Sequence, residues 1–231
     1  MRNIGNLLSL SNLEEWVKTI CTIISERITK TLESSVNFNI AISGGNTPKL
    51  VFEELIKNQY LKNDSWKKVN FFWVDERMVP INHPESNFGN AMRFLSQIPA
   101  NFFQMYDENI GLEASIVNYC KQLEAVPKKG NFPFFNLMLL GMGDDGHTAS
   151  LFPNTKGLLE NKSFVICNEV PQFNTSRITL TFPVIKNSDE LLILINREKV
   201  KLLHEIIDYK TNYPIEKLFD GGTNITWLYH N

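Results

Sequence analysis

Apolar residues along the chain recur in two patterns, and stretches of one pattern alternate with stretches of the other. Spacings of three and four predict helices over about 11–33, 87–97, 113–125 and 197–209, the first opened by a capping box of Ser11 and Glu14. Short continuous apolar runs predict strands at 38–42, 69–74, 135–140, 164–168, 177–182, 191–195 and 225–229. Strands that alternate with helices favour a single α/β domain over 1–231, with three layers and a mostly parallel sheet between helices on both faces.

Polar residues follow three of the predicted strands at the point where each strand ends. These polar clusters lie at 43–47, 75–77 and 141–147. In open α/β sheets, ligands bind outside the carboxyl ends of the strands. We therefore expect the three clusters to converge on one cleft.

The cluster at 43–47 has the order strand, two glycines, helix. Its residues are Ser43, Gly44, Gly45, Asn46 and Thr47, with Thr47 as the expected helix N-cap and Pro48 at the first helical position. Backbone N–H groups at a helix start suit a phosphate, and glycines let the backbone approach it. A tight turn capped by threonine fits the same residues equally well. No Gly-Lys-Ser/Thr follows, so the segment is not a Walker loop.

The cluster at 141–147 has the sequence GMGDDGH, which matches the G-x-G-x-x-G pattern of dinucleotide sites. Two carboxylates inside the loop would repel a pyrophosphate, and Pro153 comes too early for the long helix of that motif. Asp145 and His147 flank a glycine in this turn, as a proton-transfer pair would. A free histidine has a pKa of about 6.5, which suits a general base near neutral pH. A solvated loop histidine is the alternative.

Charge limits the ligands that the chain could bind. Lysine and arginine number 23 against 25 acidic residues, so the net charge is −2 and no basic stripe for nucleic acid is expected. An anionic ligand would need local basic groups. Arg77 after the strand 69–74, Arg177 at the start of 177–182, and Lys199 are the candidates, although each would equally fit a routine surface position.

Three further features of the sequence indicate the cellular compartment and argue against disulfides, a metal site and a membrane segment. They are the cysteines, the histidines and the N-terminus. The three cysteines have no paired spacing, and the four histidines have no metal-ligand spacing. Neither a signal peptide nor an apolar run of membrane-spanning length is seen. We expect a cytoplasmic protein with reduced thiols, no metal, and neither nucleic acid nor membrane as partner.

Taken together, three segments resemble the signature segments of the glucosamine-6-phosphate isomerase/6-phosphogluconolactonase family, and specifically those of its lactonase members. They are SGGNTP at 43–48, DERMVP at 75–80 and GMGDDGHTASLFP at 141–153, with SN at 86–87 and RITLT at 177–181 in the same order. The resemblance covers essentially the whole chain. It implies a Rossmann-like three-layer fold similar to glucosamine-6-phosphate deaminase. It also implies hydrolysis of 6-phospho-D-glucono-1,5-lactone to 6-phospho-D-gluconate in the oxidative pentose phosphate pathway, without a cofactor.

For that reaction we hypothesise that His147 is the general base and that Asp145 or Asp75 orients its imidazole. Arg77 would hold the substrate or stabilise the oxyanion. The phosphate would lie on the amides of 43–47, clamped by Arg177 and Lys199. The family usually has a glycine shortly before the lysine that matches Lys199, and this chain has LINRE at 194–198 instead.

Two alternatives share the scaffold. The deaminase pattern has Asp-Glu-Tyr where this chain has DER at 75–77, and it has a glutamate that HTASLFP at 147–153 lacks. A non-catalytic sugar-phosphate sensor would need an output module, for which the chain has no spare length. Both comparisons favour the lactonase, acting on a small molecule as a monomer or small homo-oligomer.

Overall fold

The computed structural model describes residues 4–230, and the side chain of Asn46, a predicted site residue, lies outside that description. The elements in chain order are β1 (Asn6–Leu10), α1 (Leu13–Leu32), β2 (Phe38–Ile42), α2 (Asn46–Lys57), α3 (Asn63–Trp66), β3 (Val69–Trp73), β4 (Asp75–Arg77), α4 (Asn87–Leu95), β5 (Asn101–Phe102), α5 (Gly111–Glu124), β6 (Lys128–Lys129), β7 (Phe132–Pro133), β8 (Leu137–Gly141), β9 (Val165–Val170), β10 (Thr175–Leu180), α6 (Phe182–Lys186), β11 (Glu190–Ile195), α7 (Val200–Asp208) and β12 (Asn224–His230). Short 3-10 helices lie at Lys156–Leu159, Pro171–Phe173, Arg197–Lys199 and Pro214–Gly221.

A parallel sheet forms the centre of the molecule. Within residues 4–230 its strand order is β1-β12-β11-β8-β2-β3-β5, and each neighbouring pair is parallel. All five residues of β2 are buried, as expected of a strand covered on both faces. The predicted fold class, a mostly parallel sheet flanked by helices, is therefore confirmed.

The strand order explains why distant polar clusters meet. β8, β2 and β3 are neighbours, and Ile42 near the end of β2 pairs with Leu139 on one side and Trp73 on the other. β11 lies on the other side of β8, with Leu194 beside Gly141. Four strand ends thus lie side by side at one edge.

A second, antiparallel sheet continues from this edge in the order β4-β10-β9. Val74 joins the two sheets, since its N–H donates to the Ile42 carbonyl at 3.0 Å and its carbonyl accepts from the Leu180 N–H at 2.8 Å. In this sheet Arg77 and Arg177 are direct cross-strand partners. The strands predicted at 164–168 and 177–182 exist, but they belong to this smaller sheet.

Several local details differ from the sequence predictions, including the short elements α3, α6 and β4 to β7, which were not predicted. The helix α1 has Asn12 as its N-cap, accepting from the Glu15 N–H at 2.9 Å, so the capping position is one residue later than Ser11. The helix α2 begins at Asn46 with Gly45 as its N-cap, so Thr47 lies inside the first turn. The edge strand β1 was not predicted. Among residues 4–230, no helix is long and apolar enough to cross a membrane.

Candidate active site

A cavity of about 220 Å³ opens where the strand ends meet. Its walls include nine of the eleven predicted site residues, which are Ser43, Gly44, Gly45, Thr47, Asp75, Arg77, His147, Arg177 and Lys199. Of the other two, Asp145 contacts His147 without lining the cavity itself, and Asn46 has no described side chain. The predicted convergence of the three clusters is confirmed.

His147 and Asp145 form a close pair on the loop after β8. The Nδ1 atom of His147 lies 2.5 Å from Oδ1 of Asp145, which also accepts the His147 backbone N–H at 3.2 Å. The imidazole side chain is 24% exposed, so it is partly desolvated and still reachable from the cavity. A neutral imidazole that donates from Nδ1 to a carboxylate carries its lone pair on Nε2. That nitrogen is then able to accept a proton.

Close packing fixes the imidazole. The ring of Phe152 lies with its centroid 3.9 Å from that of His147, at an interplanar angle of 30°. On another side, a Cβ built on Gly143 would fall 2.0 Å from Nδ1 of His147, so only glycine fits there. Ala149, also in the cavity wall, has a left-handed backbone with φ 50°, which is uncommon for a residue with a Cβ. The loop is thus held in one specific conformation.

Asp75 is buried and has different partners. Its Oδ2 accepts from the Ser150 hydroxyl at 2.6 Å, and its Oδ1 lies 3.4 Å from the amide nitrogen of Asn87. Ser150 is itself fully buried, and its carbonyl accepts from the side chain of Asn168 at 2.8 Å. The described hydrogen bonds of Asp75 therefore connect it to the floor beneath the cavity rather than to His147.

Arg77 and Arg177 place two positive charges side by side. Arg77 donates from Nη1 to the Glu85 carbonyl at 3.2 Å, while the Nε atoms of both arginines are buried without a hydrogen-bond partner in residues 4–230. The guanidinium of Arg177 lies over the rings of Phe152 and Phe173, at 5.2 and 5.7 Å. Burial, and then the neighbouring Arg77, lower the pKa of Arg177. An anion in the cavity would relieve this repulsion.

The glycine loop lies at the start of α2. Gly45, with φ 103°, is the N-cap, so the first backbone N–H groups of the helix face outward from its N-terminus. A Cβ on Gly44 would fall 1.8 Å from Oδ1 of Asn87, so this glycine permits close contact with α4. The amide and hydroxyl of Ser43 both donate to the Leu139 carbonyl at 3.0 Å. Ser43 thus joins β2 to β8, and the backbone N–H groups at the start of α2 are the candidate donors for an anion.

Lys199 approaches the same cavity from the 3-10 helix after β11. Its ammonium donates to the Met142 carbonyl at 2.7 Å and lies 3.4 Å from a carboxylate oxygen of Asp144. The missing family glycine before it therefore does not keep this lysine away from the site.

Several residues of the site were not predicted. Asn87 and Asn196 line the cavity, while Glu76 and Ser150 support it from below. A polar residue directly after a strand could have indicated Asn196. Glu76 and Ser150 lie within the signature-like segments at 75–80 and 141–153, but their roles could not be predicted, because these depend on contacts with residues far along the chain.

Comparisons with known proteins agree on one family. A family model described as glucosamine-6-phosphate isomerases/6-phosphogluconolactonase matches residues 11–227. The 6-phosphogluconolactonase of Chlamydia trachomatis is 31% identical over 238 residues, covering 99% of this chain and 89% of the relative. That of Synechocystis is 35% identical over 230 residues, covering 95% and 92%. A solved structure of 6-phosphogluconolactonase from Trypanosoma cruzi superposes with a TM-score of 0.87 at 26% identity, covering 100% of this chain and 96% of that one.

Proposed function

The chain belongs to the glucosamine-6-phosphate isomerase/6-phosphogluconolactonase family, and we propose that it acts as the lactonase, a carboxylic ester hydrolase. It hydrolyses 6-phospho-D-glucono-1,5-lactone to 6-phospho-D-gluconate, a step of the oxidative pentose phosphate pathway. The observation that carries this function is the Asp145–His147 pair in one cavity with two arginines. The proton-transfer pair suits the uncharged lactone carbonyl, and the two arginines suit the phosphate of the same substrate.

In the proposed mechanism His147 acts twice. Its Nε2 takes a proton from water as the water oxygen attacks C1 of the lactone, which gives a tetrahedral oxyanion. The oxyanion then collapses, the bond between C1 and the ring oxygen breaks, and the imidazolium returns the proton to that leaving oxygen. Asp145, 2.5 Å from Nδ1, orients the ring and stabilises its charged form. Asp75 is the less suitable orienting group, because its described partners are Ser150 and Asn87.

The phosphate is proposed to bind in the cationic part of the cavity. Arg177 supplies a planar guanidinium already oriented by two aromatic rings, and Lys199 adds a second positive group. The amides of 44–47 at the start of α2 offer further donors, since helix N-termini bind anions. Arg77, beside Arg177, holds the substrate or stabilises the oxyanion.

The experiment is a coupled assay with the lactone generated in place. Purified protein should accelerate formation of 6-phosphogluconate above the spontaneous rate and release no ammonia from glucosamine 6-phosphate. Ammonia release at a comparable rate would assign the deaminase activity instead. Absence of both activities in a folded protein that binds 6-phosphogluconate would favour a sensor.

We further propose a cytoplasmic setting, as expected from the sequence. The partner would be the soluble sugar-phosphate lactone, with no role for nucleic acid or membrane. Residues 1–231 would act as one domain, in a monomer or small homo-oligomer.

A further inference from the structure

Glu76 is a charged residue in the floor of the site that the mechanism leaves without a role. It lies in β4 between Asp75 and Arg77 and is only 2% exposed. Its Oε1 accepts the backbone N–H groups of Arg77 at 2.7 Å and Asn87 at 2.8 Å, and its Oε2 accepts that of Phe88 at 2.7 Å. One buried carboxylate therefore receives three backbone donors from two different elements.

These contacts do more than cap a helix. The N–H groups of Asn87 and Phe88 are the first two of α4 and have no partner within the helix, so a carboxylate there is favourable. The ordinary N-cap contact is already made by Ser86, whose hydroxyl accepts from the Gly89 N–H at 3.0 Å. Glu76 adds a link between α4 and the strand β4.

The elements that Glu76 links carry residues of the cavity wall. Arg77 is held through its own amide. Asn87 is held at the start of α4, where its side chain donates to the Asp75 carbonyl at 2.9 Å and packs against Gly44. The described contacts of Glu76 include none with the loop that carries Asp145 and His147.

We propose that Glu76 is a positioning residue that holds Arg77, Asn87 and the Gly44 turn in the geometry that binds substrate. The inference rests on the proposed function for the identity of the substrate. It assigns Glu76 to ground-state binding and leaves the chemistry to the His147 loop. Burial raises the pKa of Glu76 to about 7, against the lowering effect of the three N–H donors, so experiments at pH 8 examine the charged form.

The test is Glu76→Gln, which keeps the shape and places an NH₂ donor against backbone donors. We expect KM for the phosphorylated lactone and the Kd of 6-phosphogluconate to rise about tenfold, with kcat within about threefold of wild type, as loss of uniform binding predicts. Glu76→Asp, which keeps the charge with a shorter reach, should give an intermediate KM. It also serves as the test variant if the glutamine variant does not fold.

A matched control removes a partly buried hydrogen bond between a side chain and the backbone at the amino ends of the central strands, opposite the cavity. The Asn136 side chain accepts the Asn39 N–H at 2.8 Å near the start of β2, away from the cavity. Asn136→Ala should lower thermal stability and leave both KM and Kd unchanged. An unchanged KM and Kd in folded Glu76 variants, or a fall in kcat alone, would overturn the inference. Calorimetric binding of 6-phosphogluconate needs no turnover, so this test is independent of whether the wild type is the lactonase.

Discussion

Substitution of Gly143 tests how strictly the structure positions the general base. A Cβ at this position would fall 2.0 Å from Nδ1 and 2.1 Å from Cε1 of His147. Ordinary contact begins near 3.4 Å, so in Gly143→Ala the ring must move by about 1.4 Å. The contact of 2.5 Å between Nδ1 and Asp145 cannot survive such a shift.

The expected loss follows from that displacement. Misplacing a catalytic group by about 1 Å can cost about 10²-fold in rate. We therefore expect kcat of Gly143→Ala to fall by about 10²-fold. Because the imidazole also packs against Phe152, making room for the methyl group overpacks the loop, and the free energy of unfolding should fall by about 1–3 kcal/mol.

The assay is steady-state hydrolysis of the phosphorylated lactone, with thermal unfolding measured on the same samples. Gly141→Ala is the comparison variant, because Gly141 ends β8 in the wall of the same cavity and a Cβ there would meet no atom within 4 Å, the imidazole included. Only its kcat is compared, since a change in the cavity wall can alter KM. Its kcat should stay within about threefold of wild type. A Gly143→Ala enzyme with wild-type kcat would show that the position of His147 does not limit the reaction.

Three other predictions test the remaining parts of the site. Arg177→Ala should lower kcat/KM for the phosphorylated lactone by about ten- to a hundredfold, because a charge-assisted hydrogen bond to the phosphate is lost. The same variant should hardly change kcat/KM for glucono-1,5-lactone, which has no phosphate. Equal losses on both substrates would place Arg177 at the reacting centre. Asp145→Asn should lower kcat by about 10²-fold or more, because the negative charge beside the imidazole is lost and the amide NH₂ can hold the tautomer that carries its proton on Nε2. A change below threefold would favour Asp75 instead. The folded pKa of Glu76, about 7, lies above its usual 4.5, so the folded state binds this proton more tightly and stability is lost as pH rises from 4.5 through 7. Urea unfolding at several pH values should show that wild type loses stability relative to Glu76→Gln as pH rises, by roughly 3.5 kcal/mol at most at about 1.4 kcal/mol per pKa unit. Equal pH dependence of the two proteins would contradict this prediction.

Features fixed by short stretches of sequence could be predicted. The apolar runs of β2, β3 and β8 mark buried strands, and the polar residues after them mark the edge where the cavity forms. Asp145 and His147 are two residues apart, so their pairing is visible locally. The strand β1 was missed because Asn6–Leu10 lies at the edge of the sheet and is mostly exposed, which leaves no continuous apolar run.

Features that depend on distant contacts could not be predicted. Arg77 and Arg177 are cross-strand partners although a hundred residues separate them, and Ser150 reaches Asp75 across 75 positions. The chain passes from β3 into β4 at Val74 without a glycine or proline to mark the change of sheet. Glu76 looks like a surface acid in the sequence, because its three donors come together only when α4 packs on β4.

The central claim is that His147 is the general base of a lactone hydrolysis. The direct measurement compares wild type with His147→Ala on lactone generated in place, with the spontaneous rate subtracted and folding checked by thermal unfolding. Loss of a positioned general base should lower kcat by roughly 10²–10⁴-fold while the variant stays folded. A folded His147→Ala enzyme that keeps more than about a third of the wild-type kcat would contradict the claim. Replacing a solvated loop histidine that has no catalytic role should lower kcat by less than about threefold.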